Sequence, residues 1–122
     1  MPHRDWLFRI SDILSAISAV ETYVKGMSYE DFIADRKTVD AVIRKLIIIG
    51  EAASHVPEEI SLNHPEVPWN DMRAMRNFVV HEYFGVSDKI LWNTVQTDLP
   101  PLMSLLKEIY EAYSRGEDSA KS

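Results

Sequence analysis

Apolar residues recur at spacings of three and four along the amino-terminal segment, at Trp6, Leu7, Ile10, Ile13, Leu14, Ile17, Val20 and Val24. That period is helical, and it predicts a long first helix from about Arg4 to Lys25, stopped at Gly26. Ser28 followed three residues later by Asp31 resembles a capping pair, so Tyr29 to Ala34 reads as a short connecting helix. From about Thr38 to His55 a second long helix carries Val39, Val42, Ile43, Leu46, Ile47, Ile48, Ile49, Ala52, Ala53 and Val56, with Pro57 as its stop. Three successive isoleucines point three ways, more than one roughly 100° stripe can bury. This helix is therefore expected to sit centrally among others and to offer a further face to a second copy of the chain.

Pro57 to Pro68 reads as a short turn of helix and a loop, and Trp69 to about His81 as another helix, with Asn70 and Asp71 near its positive end. Ser87 or Asp88 can cap a helix through Ile90, Leu91, Trp92 and Val95, and Leu102, Leu105, Leu106, Ile109 and Tyr113 continue the period. Pro100 and Pro101 interrupt it, and a kink is expected there because proline disrupts a helix interior. No segment shows the period-two alternation of a sheet. The expected fold is all-α, an up-and-down bundle of four to five helices, forming one domain over 1–114 with a polar tail over 115–122.

Composition narrows the function classes. A chain of 122 residues with 46% hydrophobic content can bury a core without staples. It has no cysteine, which closes disulfide, thiolate and cysteine-zinc chemistry and fits a reducing cytoplasmic setting. Arg4, Asp5, Arg9, Asp12 and Glu21 punctuate the first helix, so neither a signal sequence nor a membrane span is expected. The net charge of −6 argues against broad adhesion to nucleic acid but leaves room for a small basic site.

One such site is legible. On a continuous α-helix Arg73, Asn77 and His81 lie at i, i+4 and i+8, flanked by Arg76, while Met72, Met75, Phe78 and Val79 occupy the other side. Arginine presents a planar charged fork to phosphate oxygens, and histidine exchanges a proton near neutral pH. Together they suit phosphodiester chemistry, with Arg76 stabilising a crowded anionic phosphorane and His81 moving a proton. A position near a helix carboxyl end favours protonated His81, a better acid than base.

Glu51 is placed to orient Arg76 or His81, or equally to face water. No metal and no cofactor are expected, because neither Glu82 nor Glu51 makes a known zinc spacing with His81. Purely structural alternatives stand beside these readings. His81 can bond a last-turn carbonyl, Arg73 and Arg76 can pair with Asp71 and Glu82, Asn77 can hydrogen-bond between helices, and Tyr83 can be a packed aromatic. His3, His55 and His64 have no evident partners, Trp69 and Trp92 read as core anchors, and Arg36 and Lys37 are candidates to join the basic site.

The string Arg76, four residues, His81, one residue, Tyr83 resembles the Arg-x4-His-x-Tyr form of the HEPN motif. Its surroundings resemble HepT: Asp35-Arg36-Lys37-Thr38, Ile49-Gly50-Glu51-Ala52-Ala53, Pro68-Trp69, Met75-Arg76-Asn77, His81-Glu82-Tyr83-Phe84-Gly85-Val86 and Asp98-Leu99-Pro100. The likeness runs from about Asp12 to Leu106. It implies a homodimer of helical bundles with two motifs facing each other, a metal-independent endoribonuclease acting on RNA, and a toxin role. It also implies a minimal nucleotidyltransferase antitoxin, MntA, that silences the toxin by adding AMP to Tyr83. An alternative of another class is a non-enzymatic nucleotide- or partner-binding HEPN dimer that serves only as the nucleotidyltransferase's substrate.

Overall fold

A computed structural model describes residues 2–80 and 87–121, with side chains over 5–78 and 87–116. Among the described residues all regular structure is helical, and no helix is long and apolar enough to cross a membrane. Helix α1 spans Pro2–Val24 and buries Trp6, Ile10, Ile13, Ala16, Ile17, Val20 and Val24, the face its period marks. It ends at Gly26, whose φ of 78° places it in the left-handed region that favours glycine. Helix α2, Tyr29–Ala34, opens with the reciprocal cap that its sequence suggests. The Asp31 N–H donates to Ser28 Oγ at 3.0 Å and the Ser28 N–H to Asp31 Oδ2 at 3.1 Å.

Helix α3, Arg36–Ser54, starts earlier than its apolar period indicates, because Asp35 caps it. The Asp35 carboxylate accepts the Thr38 N–H at 3.2 Å and the Thr38 hydroxyl at 2.8 Å. Those two donors hold Asp35 below the usual carboxylate range, the hydroxyl contributing more. The breadth of this helix's apolar surface has its expected consequence: α3 packs against α1, α2, α5 and the 3-10 segment that follows α5. Ile49 is fully buried, and Ile47 and Ile48 are partly buried against the same core. Burying an aliphatic side chain of this size contributes about 1.5–3 kcal/mol, so α3 is the principal scaffold for its neighbours.

After α4, Glu58–Asn63, a loop leads to α5, Trp69–Ala74, and a 3-10 helix, Met75–Val80. Helix α6, Asp88–Asn93, is capped by Ser87, whose Oγ accepts the Lys89 N–H at 3.1 Å. Helix α2 docks onto α6 through Trp92, whose ring centroid lies 5.0 Å from that of Phe32 and 6.2 Å from that of Tyr29. Helix α7, Leu99–Lys121, follows a π turn over Thr94–Asp98.

The proline pair thus interrupts the α period by widening it, with the Leu99 N–H reaching back five residues to Thr94 O. Pro100 and Pro101 fall in the first turn of α7, where a missing N–H is tolerated. The helix also runs through the polar segment from Arg115 to Lys121, which the sequence pattern alone leaves as tail.

Histidine 64 departs from its sequence reading, because it has partners. Its Nδ1 lies 3.3 Å from Glu66 Oε2 and its Nε2 lies 3.1 Å from Tyr113 Oη, while its carbonyl accepts the Trp69 indole N–H at 3.0 Å. Tyr113 also stands edge-on to Trp6, with centroids 4.8 Å apart. This cluster ties the α4–α5 loop to the outer helices α1 and α7.

Candidate active site

Trp69 anchors the start of α5 in the core, and Met72 and Met75 follow it there at intervals of three. Phe78 continues that spacing, partly buried against the same core. A spacing of three suits the 3-10 helix, in which residues i and i+3 eclipse. The chain tightens where that row of side chains demands it: the Met75 N–H bonds back to Arg73 O and Met72 O, and the 3-10 helix begins.

The change of period corrects the polar line expected from a continuous α-helix between Trp69 and His81. Four α steps would leave Asn77 about 40° from Arg73, whereas two α and two 3-10 steps leave it about 80° away. Arg73 is turned toward its own helix, its Nη1 donating to Asn70 Oδ1 at 3.2 Å. Arg76 and Asn77 are exposed, and among the described residues the Arg76 side chain has neither a hydrogen bond nor an ion pair. Its guanidinium is open to an anionic ligand. His81 and Tyr83 lie outside the described residues.

What fixes Arg76 is α3. A Cβ on Gly50 would stand 2.5 Å from the Arg76 amide nitrogen, 2.8 Å from Arg76 Cγ and 3.1 Å from the Met72 carbonyl oxygen. Only a glycine lets the two backbones meet so closely. A glycine inside a helix costs about 1 kcal/mol relative to alanine, and this expense within α3 was the sequence signal for a close approach.

Glu51, next in the chain, does not reach Arg76. Its Oε1 lies 3.2 Å from His55 Nε2, an exposed pair at i, i+4 that the spacing alone could have revealed. Arg36 donates to Asp88 Oδ2 at 3.1 Å and to Ile33 O at 3.1 Å, joining the start of α3 to the start of α6. Arg36 is thus engaged in a structural contact between helices. Among the described residues no group of three or more His, Asp or Glu side chains is placed to share a metal ion.

A cavity of about 340 Å³ is lined by Met75 and Phe78 together with Thr94, Thr97 and Leu102 of the π turn and α7. The site is therefore a short, tightened helix carrying an exposed arginine, backed by a glycine on a central scaffold helix.

These features define a class: a helical bundle that presents a cationic motif from a short helix beside its core. The sequence profile of the family described as ribonuclease HepT-like matches residues 13–109, and the chain belongs to that family. A Thermococcus cleftensis protein named probable ribonuclease HepT is 42% identical over 107 residues, covering 88% of this chain and 94% of its own. A provisionally named RNase of Caldanaerobacter subterraneus is 43% identical over 88 residues, 72% of this chain and 79% of the relative. One from Methanocaldococcus jannaschii is 34% identical over 122 residues, 97% of each chain. No solved structure matches significantly.

Proposed function

We propose that this protein is a metal-independent endoribonuclease of toxin type, with Arg76 and His81 as its catalytic pair. The observation that carries the reading is Arg76 itself: an exposed arginine whose side chain has no partner among the described residues, backed tightly by α3 and five residues ahead of His81, in a chain of the HepT-like family. A ribose 2′-oxygen attacks the adjacent phosphorus and loses its proton to solvent water, the bond from phosphorus to the 5′-oxygen breaks, and His81 protonates that leaving oxygen. The products are a 2′,3′-cyclic phosphate and a 5′-hydroxyl. Arg76 stabilises the charge on the phosphorane, a contribution that needs the fork aimed at the non-bridging oxygens. Asn77 and Arg73 assist substrate binding.

The site is completed in a homodimer, where two motifs share one groove, and the half-exposed isoleucines of α3 are consistent with a further apolar contact. An MntA-like minimal nucleotidyltransferase silences it by transferring AMP to Tyr83, which places phosphate charge and bulk two residues from His81. End-group analysis of cleaved RNA tests the chemistry, with a 2′,3′-cyclic phosphate expected. Equal cleavage by the wild type and His81→Ala would sink the proposal.

The acidic net charge favours a second reading. Poor long-range steering of RNA suits a partner-binding dimer that is itself the nucleotidyltransferase's substrate and cuts nothing. Mass spectrometry after incubation with the nucleotidyltransferase and ATP locates the adduct, and a mass gain surviving Tyr83→Phe removes Tyr83 from either account.

A further inference from the structure

A close backbone approach in the site lies between two helices distant in sequence. Gly50 of α3 faces the junction where α5 becomes the 3-10 helix, and its missing side chain would otherwise occupy the space of the Arg76 amide nitrogen at 2.5 Å and the Arg76 Cγ at 2.8 Å. The Met72 carbonyl, four residues before Arg76, completes the wall at 3.1 Å. Two of these three atoms are backbone, so no change of rotamer relieves the overlap. The 3-10 helix itself must move. Met75 and Phe78, packed against the core on that helix, must shift with it.

We infer that Gly50 is a positioning residue: it sets the height and rotation of the 3-10 helix over α3 and thereby aims the Arg76 guanidinium. The inference rests on the reading of Arg76 as a catalytic residue. Its chemistry is steric. Any side chain at position 50 displaces the Arg76 backbone by an ångström or so, and a misplacement of that size costs about 10²-fold in the reaction it serves. A role confined to general packing would lower thermal stability and change cleavage only through the folded fraction.

The test uses the full chain and a mixed-sequence single-stranded RNA, with kcat and KM measured for Gly50→Ala, Arg76→Ala, Arg76→Lys and the double variant Gly50→Ala with Arg76→Lys. Ile49→Val, a neighbouring core substitution on α3, serves as the control for lost stability. Gly50→Ala is expected to lower kcat about 10²-fold with KM nearly unchanged. In the Arg76→Lys background, which has already lost the fork geometry, it should add much less than that.

Hydrogen exchange at the amides of residues 75–80 should quicken in Gly50→Ala and stay unchanged in Ile49→Val. The inference is overturned if Gly50→Ala keeps wild-type kcat while Arg76→Ala is inactive, leaving the reading of Arg76 intact. It is overturned equally if the losses from Gly50→Ala and Arg76→Lys multiply in full, or if Ile49→Val loses as much kcat at a matched melting temperature. Full cleavage by Arg76→Ala removes the catalytic reading of Arg76 and the inference with it.

Discussion

Two side chains carry most of the proposed chemistry, and they make different demands. Arg76 contributes through fixed direction and His81 through a transferable proton, so Arg76→Ala and His81→Ala should each reduce RNA cleavage by about 10²- to 10⁴-fold, read from initial rates on single-stranded RNA. Asp35 shows the same dependence on placement in a purely structural role. Its carboxyl is held below its ordinary value of 3.8 by the Thr38 hydroxyl and N–H. A depressed folded value means the contribution is fully present above the unfolded pKa and is lost as pH falls through the folded one. Asp35→Ala should therefore melt at lower temperature than the wild type at neutral pH, and the gap should close as the pH falls below 3.8. Asp35→Asn, which retains a capping oxygen, should lie between them.

Helix ends are decided locally in this chain, whereas helix period is decided by packing. The Ser28 and Asp31 cap is a short-range arrangement legible in the sequence, and it formed as written. Ser28→Ala should cost about 1 kcal/mol in denaturant unfolding, and the double variant with Asp31→Ala less than the two single losses added, since each bond supports the other. The period of the segment from Trp69 to Val80 was not legible in this way. Arg73, Arg76 and Asn77 fit an α-helical face, but Trp69, Met72, Met75 and Phe78 are held against the core at intervals of three, and the burial of large side chains outweighs a small local preference for the α form. At Pro100 and Pro101 the interruption was legible and its form was not. The π turn depends on Leu99 finding Thr94 O and on Thr94 being buried beside it.

Across the whole molecule, α3 joins the hydrophobic core to the site, and the His64 and Tyr113 contact joins the α4–α5 loop to the last helix. Tyr113→Phe removes one hydrogen bond and leaves the ring on Trp6, so it should cost about 0.5–1.5 kcal/mol of stability by chemical denaturation with cleavage preserved. The acidic balance of the chain bears on its encounter with RNA. If only one or two arginines meet phosphates, the logarithm of RNA affinity should fall against the logarithm of salt with a slope of only about −0.7 to −1.4. A much steeper slope in a binding titration would require a basic surface beyond the site described.

The sequence by itself determined that the chain is helical, where most helices begin and end, and which residue types suit phosphodiester chemistry, because hydrophobic period, caps and side-chain chemistry are properties of neighbours along the chain. Only the tertiary structure decided that α5 tightens into a 3-10 helix, that Arg36 meets Asp88, and that Gly50 lies under Arg76. Each of those depends on what a distant segment leaves room for. A glycine in the middle of a helix announces a close approach, but which backbone approaches it is settled only when the helices pack.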